Sequence, residues 1–254
     1  MTAPWGASDG GDRADNQDRW DAAVTKNRRA QFAIVADGMG GRPDGARCAA
    51  SAVEAAASYL ALAGHKRNRI AAADYAMRLP SYVQRHLAQA RADGSLHPES
   101  AATFAAALVV GDIAWLITVG DCRCIVVRNG DVVEATVPHN RLATALRDGE
   151  IVPDQRDRRD LGSAVTRWIT PAARLASRTT VIAVPLETND QIAVVSDGVG
   201  EVAGPALVAR MLDDLRTAGE EAAARELVSY ARRTSAPVAD NCTAVVLRVE
   251  SVIP

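Results

Sequence analysis

From Gln31 to Ala36 the chain is apolar almost without interruption, and it then meets a carboxylate, Asp37, followed by Gly38, Gly40 and Gly41. An apolar run of this length, bounded by polar turns, predicts a buried strand. Trp20 to Val24 predicts a partner strand, joined to it by the polar connection TKNRR. The period then changes: in GARCAASAVEAAASYLALAG, Ala49, Val53, Ala56, Ala57 and Leu60 share a stripe, which predicts a helix, with Gly64 suited to its end. A second helix is expected from about Asn68 to Arg91, with Pro80 kinking it or delaying its start. TFAAALVVGDIAWLITVGDCRCIVVRNGDVVEATV reads as three or four strands turned at Gly111-Asp112 and Asn129-Gly130. RLATALRDGEIVPDQRDRRD predicts a short helix, a turn and an exposed flap over about residues 141–160. Two more strands are expected at Ala176 to Val184 and Gln191 to Ser196. Helices follow near Gly204 to Ala218 and Glu220 to Arg233, then a last strand from Thr243 to Val249.

Strands joined by hairpins and helices gathered in pairs favour an antiparallel α+β domain over a βαβ wind. No repeat, low-complexity tract or linker divides the 254 residues, so a single domain over 1–254 is expected. A hydrophobic content of 48% with 24% charged residues is that of a packed core. With 29 basic against 31 acidic side chains, nothing in the charge favours nucleic acid or an anionic membrane. MTAPWGASDGGDRADNQD lacks the apolar centre of a signal peptide, and no apolar run approaches a membrane span, so a cytoplasmic protein with reduced thiols is expected. The cysteines are Cys48, Cys122, Cys124 and Cys242; CRC lacks CxxC spacing, and Cys122 and Cys124 read as small buried residues on one strand face.

The acids then stand out. Asp37 follows FAIVA, Asp121 follows WLITVG, Asp197 follows IAVVS, and Asp240 precedes a strand. In antiparallel pairs the end of one strand lies beside the start of the next, so Asp37, Asp197 and Asp240 could meet at one sheet end. Gathered carboxylates repel and resist burial unless a cation joins them, and oxygen-only ligands suit Mg²⁺ or Mn²⁺. Each Asp-Gly pair taken alone reads better as a turn, since Asp and Gly favour turns for local reasons.

ADGMGG, VGDCR, VSDGVGE and DNCTAVVL, in this order, together resemble the metal-dependent protein phosphatase family of type 2C. GDRADNQD resembles that family's opening Arg-x-x-Asn-Glu-Asp motif, and RDGEIVPDQRDRRDLGSAVTRWI its Gly-x-Ile turn and the segment that follows. The resemblance runs from about Gly6 to Val249. It implies a β-sandwich of two antiparallel sheets flanked by α-helices, in α-β-β-α order. It implies that Asp37 bridges two metal ions, that Gly38 offers its carbonyl oxygen, and that Asp197 and Asp240 complete the first ion's shell. Asp121 matches the acid that helps hold a third ion in bacterial members. Asp18 matches an acid beside the site, although from the residues alone it suits an exposed or capping position equally well.

Such a pair of ions, roughly 3.5–4 Å apart, lowers the pKa of a water between them so that it can attack phosphorus in line. Arg13, at the family's phosphate-binding position, supplies a guanidinium fork for the phosphate; alone it would read as a surface arginine. Several positions depart from the pattern. Gln17 lacks the charge of the usual glutamate, so a second ion is held more weakly or through water. Met39 stands where some relatives carry a histidine proposed as general acid, Ala46 replaces a frequent glutamate, and Pro138 alters the motif around His139, which reads as structural. The flap is either a substrate contact or a solvated connection.

The resemblance thus implies a serine/threonine protein phosphatase using Mn²⁺ or Mg²⁺, two ions or three. It would be a monomer acting on phosphorylated proteins and opposing a cognate Ser/Thr kinase, with no nucleic-acid or membrane partner. The rival readings are weaker. A catalytically silent pseudophosphatase, acting as a binding module, would have lost the acids that Asp37, Asp197 and Asp240 retain. A haloacid-dehalogenase-type phosphatase needs DxD, where Met39 stands. A calcium loop in ASDGGDRADNQD fails its ligand spacing.

Overall fold

The computed structural model describes residues 2–63, 69–151, 164–172, 179–235 and 238–250. Among these residues, ten strands form two antiparallel sheets. One sheet has the order β1 (Trp5–Asp9), β10 (Cys242–Arg248), β9 (Gln191–Val195), β6 (Arg123–Arg128), β7 (Asp131–Ala135). The other has the order β2 (Asp18–Val24), β3 (Ala30–Gly38), β4 (Ala102–Val110), β5 (Ile113–Val119), β8 (Thr180–Pro185). Helices α1 (Gly45–Leu60) and α2 (Arg69–Ala92) cover the β2–β8 sheet. On the sheet that begins with β1 lie α4 (Asp197–Asp214) and α5 (Glu220–Thr234), while α3 (Arg141–Arg147) follows β7. Both sheets are therefore covered on both faces, in the α-β-β-α order expected.

Side-chain alternation builds the layers. Along β3, Phe32, Ile34 and Ala36 pack toward α1, while Ala33 and Val35 face the opposite sheet. β4 repeats this, with Phe104, Ala106 and Leu108 under the helices and Ala105, Ala107 and Val109 between the sheets. Because both faces are buried, these strands read as continuous apolar runs rather than an alternation. The gap between the sheets is filled largely by small side chains, with Cys124, Val126, Val194 and Val245 from the β1 sheet, and Cys122 just before β6, meeting those alanines. All four cysteines are buried and unpaired.

The register decides where the site forms. Asp18 lies opposite Asp37, and Asp37 opposite Thr103, so β2 starts where β3 ends and β4 starts. In the other sheet Arg123 lies opposite Val195, Val195 opposite Ala244, and Cys242 opposite Asp9. Every segment carrying a candidate acid thus emerges at one end of the sandwich.

Several elements differ from the sequence reading. β1 was not anticipated; it is short, its Trp5 is exposed, and its order comes from pairing with β10 at the far end of the chain. The helix expected from Gly204 starts at Asp197, because α4 is two pieces broken at Gly204 (φ 62°, ψ 159°), with Pro205 opening the second piece. α2 begins at Arg69 and carries Pro80 within it, so the proline does not delay its start. β8 is described from Thr180; the first part of the strand expected from Ala176 lies outside the described residues, as do residues 152–163, which hold the second half of the expected flap, while its first half forms α3 and the turn after it. The Asn129-Gly130 turn has positive φ at both residues, 51° and 82°, the tight hairpin that this dipeptide predicts. No helix among the described residues is long and apolar enough to cross a membrane.

Candidate active site

The acids converge, but from two sheets rather than along the end of one. Asp37 comes from the end of β3, Asp121 from the crossing between β5 and β6, and Asp197 from the first residue of α4 just beyond β9. One carboxylate oxygen from each lies within 4.8 Å of the other two. Asp37 and Asp197 line a cleft of about 400 Å³, together with Arg13, Gln17, Gly38, Thr103, Asp240 and Asn241.

The electrostatics of this group are those of carboxylates crowded together in a buried setting, with Arg123 offsetting only part of their charge. Burial first, and then the charge of Asp197, raises the pKa of Asp37 far above the usual carboxylate range. Burial and then Asp121 do the same to Asp197. Asp121 is pushed up to about 6, chiefly by burial. Asp18 is buried at 3% exposure, which excludes the exposed or capping alternative; burial raises its pKa while the neighbouring Thr243 and Ser196 hydroxyls pull the other way. The carboxylate oxygens of Asp18 and Asp121 accept no well-formed hydrogen bond among the described residues. Buried carboxylates gathered with raised pKa values and few well-formed hydrogen bonds are what a divalent cation relieves. The donor set is all oxygen, which suits Mg²⁺, Mn²⁺ or Ca²⁺ rather than a thiolate-bound metal.

Asp240 stands apart from that trio at the cleft wall. Its two oxygens take the fork of Arg13, Nε to Oδ1 at 2.9 Å and Nη2 to Oδ2 at 2.7 Å. This hydrogen bonding raises the pKa of Arg13. The pair is substantially exposed, 58% and 42%, so its contribution to folding is small, about 0–1 kcal/mol. Its consequence is positional: Asp240 fixes the Arg13 guanidinium at the cleft wall.

Asn241 holds that arrangement and was not singled out in the sequence. Its Oδ1 accepts the Gln17 N–H at 2.8 Å, and its Nδ2 donates to the carbonyls of Gly10 at 2.8 Å and Asp15 at 3.2 Å. The loop carrying Arg13 is thereby sewn to the loop carrying Asp240. Asp12 adds a second stitch, accepting from Arg232 at 2.6 Å and from the Ala239 N–H at 2.9 Å. Arg123 was also missed. Its stem passes beneath Gly200, its Nε is buried with no hydrogen-bond partner among the described residues, and its charge is supported by Glu201, Asp121 and Asp197 against the cost of burial. Neither residue could be found from local spacing, because both act through contacts across the fold.

Gly38 faces the cleft with its back against the start of α1, where an added Cβ would lie 2.5 Å from the Gly45 carbonyl carbon. Gln17 points its buried Oε1 at the same place, without a hydrogen-bond donor. Gly198 is tighter still, since a Cβ there would lie 2.1 Å from the Asn241 carbonyl oxygen. Gly198→Ala is therefore expected to cost about 2–3 kcal/mol, as overpacking does, and to displace the Asp240–Asn241 loop. Urea melts and turnover of the same variant would check both effects; an unchanged protein would mean that the loop yields freely.

His139 behaves as a structural residue. Its Nδ1 accepts the Gly120 N–H at 3.0 Å, so Nε2 carries the proton and donates to Thr180 Oγ1 at 2.9 Å. Burial, and then the charge of Arg167, lowers its pKa to about 4. For a base with a lowered folded pKa, the unfolded chain binds the proton first. Stability from this group is thus full above about 6.5 and falls as pH drops toward 4. Relative to His139→Gln, the wild type should lose on the order of 1 kcal/mol more between pH 7 and pH 5. Parallel pH series of denaturant melts would show it, and identical slopes would exclude it. Cys122 is fully buried with its pKa raised well above the thiol range, so it offers no thiolate nucleophile.

Comparison with known proteins gives a consistent picture. The sequence pattern of the protein phosphatase 2C family matches residues 5–236. The serine/threonine phosphatase stp of Listeria innocua is 25% identical over 217 residues, 83% of this chain and 82% of that protein. Among solved structures, a bacterial serine phosphatase superposes with a TM-score of 0.80 at 18% identity, covering 99% of both chains. The catalytic domain of the serine threonine protein phosphatase PstP, solved in complex with two manganese ions, gives 0.73 at 23% identity, covering 98% of this chain and all of that one.

Proposed function

The chain belongs to the protein phosphatase 2C family, and from that premise we propose how its own residues carry out phosphate-ester hydrolysis. It is a metal-dependent serine/threonine protein phosphatase. One observation carries this reading: oxygens of Asp37, Asp121 and Asp197 lie within 4.8 Å of one another, beside a cleft that Arg13 also lines. The same acids speak against a silent binding module, which would have no reason to keep three mutually repelling carboxylates together.

Divalent cations fit the site, and the residues that would hold them are Asp37, Gly38 through its carbonyl, Asp197 and Asp240, with Asp121 and Asp18 beside them. Two ions of Mn²⁺ or Mg²⁺ are proposed, with Asp121 and Asp197 available to a third. When bound, such ions lower the pKa of water and neutralise charge on the phosphate. Everything else falls to the chain. Arg13 carries a planar fork that here grips Asp240 and would match two phosphate oxygens once Asp240 turns to a cation, and Asn241 and Asp12 hold its loop. Gln17 offers a neutral oxygen where a carboxylate would add charge, which weakens the hold on one ion. His139 is engaged at both nitrogens and neutral at working pH, so leaving-group protonation falls to water.

The substrate class is phosphoserine and phosphothreonine in proteins, set by a partner Ser/Thr kinase. The enzyme works as a monomer in the cytoplasm, with residues 1–254 forming one catalytic unit. Hydrolysis of a phosphothreonine peptide should appear on adding Mn²⁺ and vanish with a chelator. Turnover that ignores both would overturn the mechanism.

A further inference from the structure

The rim of the cleft carries a cation that the reaction above does not use. Arg42 follows Met39, Gly40 and Gly41, which line the cleft, and its N–H closes a turn onto the Met39 carbonyl at 3.0 Å. Met39 in turn donates to the Ala101 carbonyl at 3.0 Å. From the other side comes Trp168, three residues after the cleft-lining Val165. Its neighbour Ile169 exchanges backbone hydrogen bonds with Ala102 at 2.8 and 3.1 Å. The Arg42 guanidinium lies 5.0 Å from the centre of the Trp168 ring. Both side chains are half-buried.

The backbone ladder already fixes both segments, so this stack is not needed to place them. Its effect is on Arg42 itself. A guanidinium resting on an indole loses rotamer freedom and keeps its charge, while its in-plane N–H edge stays open to an anion. The charged residues lining the cleft beside it are the carboxylates Asp15, Asp37, Asp197 and Asp240 together with Arg13, which is engaged with the last of these. Asp44, the acid nearest Arg42 in sequence, is turned instead to Arg47 at 3.6 Å and to the His97 N–H at 3.1 Å. Among the described residues, no ion pair engages Arg42.

We propose that Arg42, steadied by Trp168, is a specificity-determining residue that favours phosphopeptides with an acidic side chain next to the phosphorylated residue. The proposal rests on the phosphatase reading. A phosphate bound at the cleft floor leaves its flanking residues to cross the rim, where Arg42 offers a positive charge held in place by Trp168.

The test is steady-state kinetics with Mn²⁺ on phosphothreonine peptides carrying glutamate or glutamine on either side of the phosphoresidue. Wild type should prefer a glutamate peptide roughly three- to fivefold in kcat/KM, the size of an exposed ion pair, with the difference in KM and erased at high salt. Arg42→Gln should abolish the preference by raising KM for that peptide alone, with kcat little changed. Trp168→Leu should lose part of it and Trp168→Phe should keep it. A wild type without preference, a preference that survives Arg42→Gln, or a KM rise equal for both peptides would overturn the proposal. If no peptide is hydrolysed at all, the phosphatase reading fails separately. Anisotropy of a labelled glutamate peptide then decides: weaker binding to Arg42→Gln supports the docking role, and equal binding ends it.

Discussion

Asp197→Asn should reduce kcat/KM for a phosphothreonine peptide by roughly 10³-fold, because electrostatic stabilisation is the largest single contribution to such a reaction. The same substitution should make the metal-free protein more stable. Asp197 is enclosed with Asp37 and Asp121; its charge raises the pKa of Asp37, and that of Asp121 raises both, so removing one charge relieves a repulsion that folding otherwise bears. Mn²⁺ should raise the melting temperature of the wild type, since a ligand that binds only the folded state stabilises it, and should barely move the variant. The three readouts separate the explanations. A variant as active as wild type removes the acid cluster from the mechanism. Inactivity in both proteins, with Mn²⁺ still stabilising the wild type, would restore the binding-module reading.

Arg13 gives the second large effect. Hydrogen bonds to charged groups are worth about 1.5–3 kcal/mol, so Arg13→Ala should lower kcat/KM by about 10- to 100-fold. Inhibition by inorganic phosphate should weaken in parallel. Lysine at this position should recover only part of the loss, because a point charge cannot reproduce the two-pronged grip seen on Asp240. The fold should survive, since the Arg13–Asp240 pair is exposed and the loop is held independently by Asn241 and Asp12. Full activity in the lysine variant would mean that charge alone matters. An alanine variant with unchanged phosphate inhibition would remove Arg13 from the phosphate site.

Much of the fold was legible because its strands are strongly patterned. β3, β4 and β5 are apolar runs bounded by glycine-containing turns, and α1 shows its stripe in a row of alanines. β1 was not legible: WGASD is too short and polar to pattern, and its order is supplied by β10 from the other end of the chain. The start of α4 at Asp197 was hidden because two glycines look like a turn, although they are the tight first turn beneath Asn241. Each acid was visible singly, as a carboxylate at a strand end. Their meeting was carried by resemblance, and the route by which they meet, from two sheets instead of one, needed the register. Asn241 and Arg123 stayed unseen because what marks them is a partner far away in sequence.

The division of the acids between the two leaves ties reactivity to the thickness of the molecule. Asp37 rides on one leaf and Asp197 and Asp240 on the other, while Asp121 sits on the strip that joins them. The interval between their oxygens is therefore set deep in the body, where Ala33, Ala105 and Ala107 let the leaves close up. Methyl groups far down the strands act as the shim of a calliper whose jaws are the carboxylates. A bulkier filling there would spread the jaws while leaving every reactive group in its place along the chain.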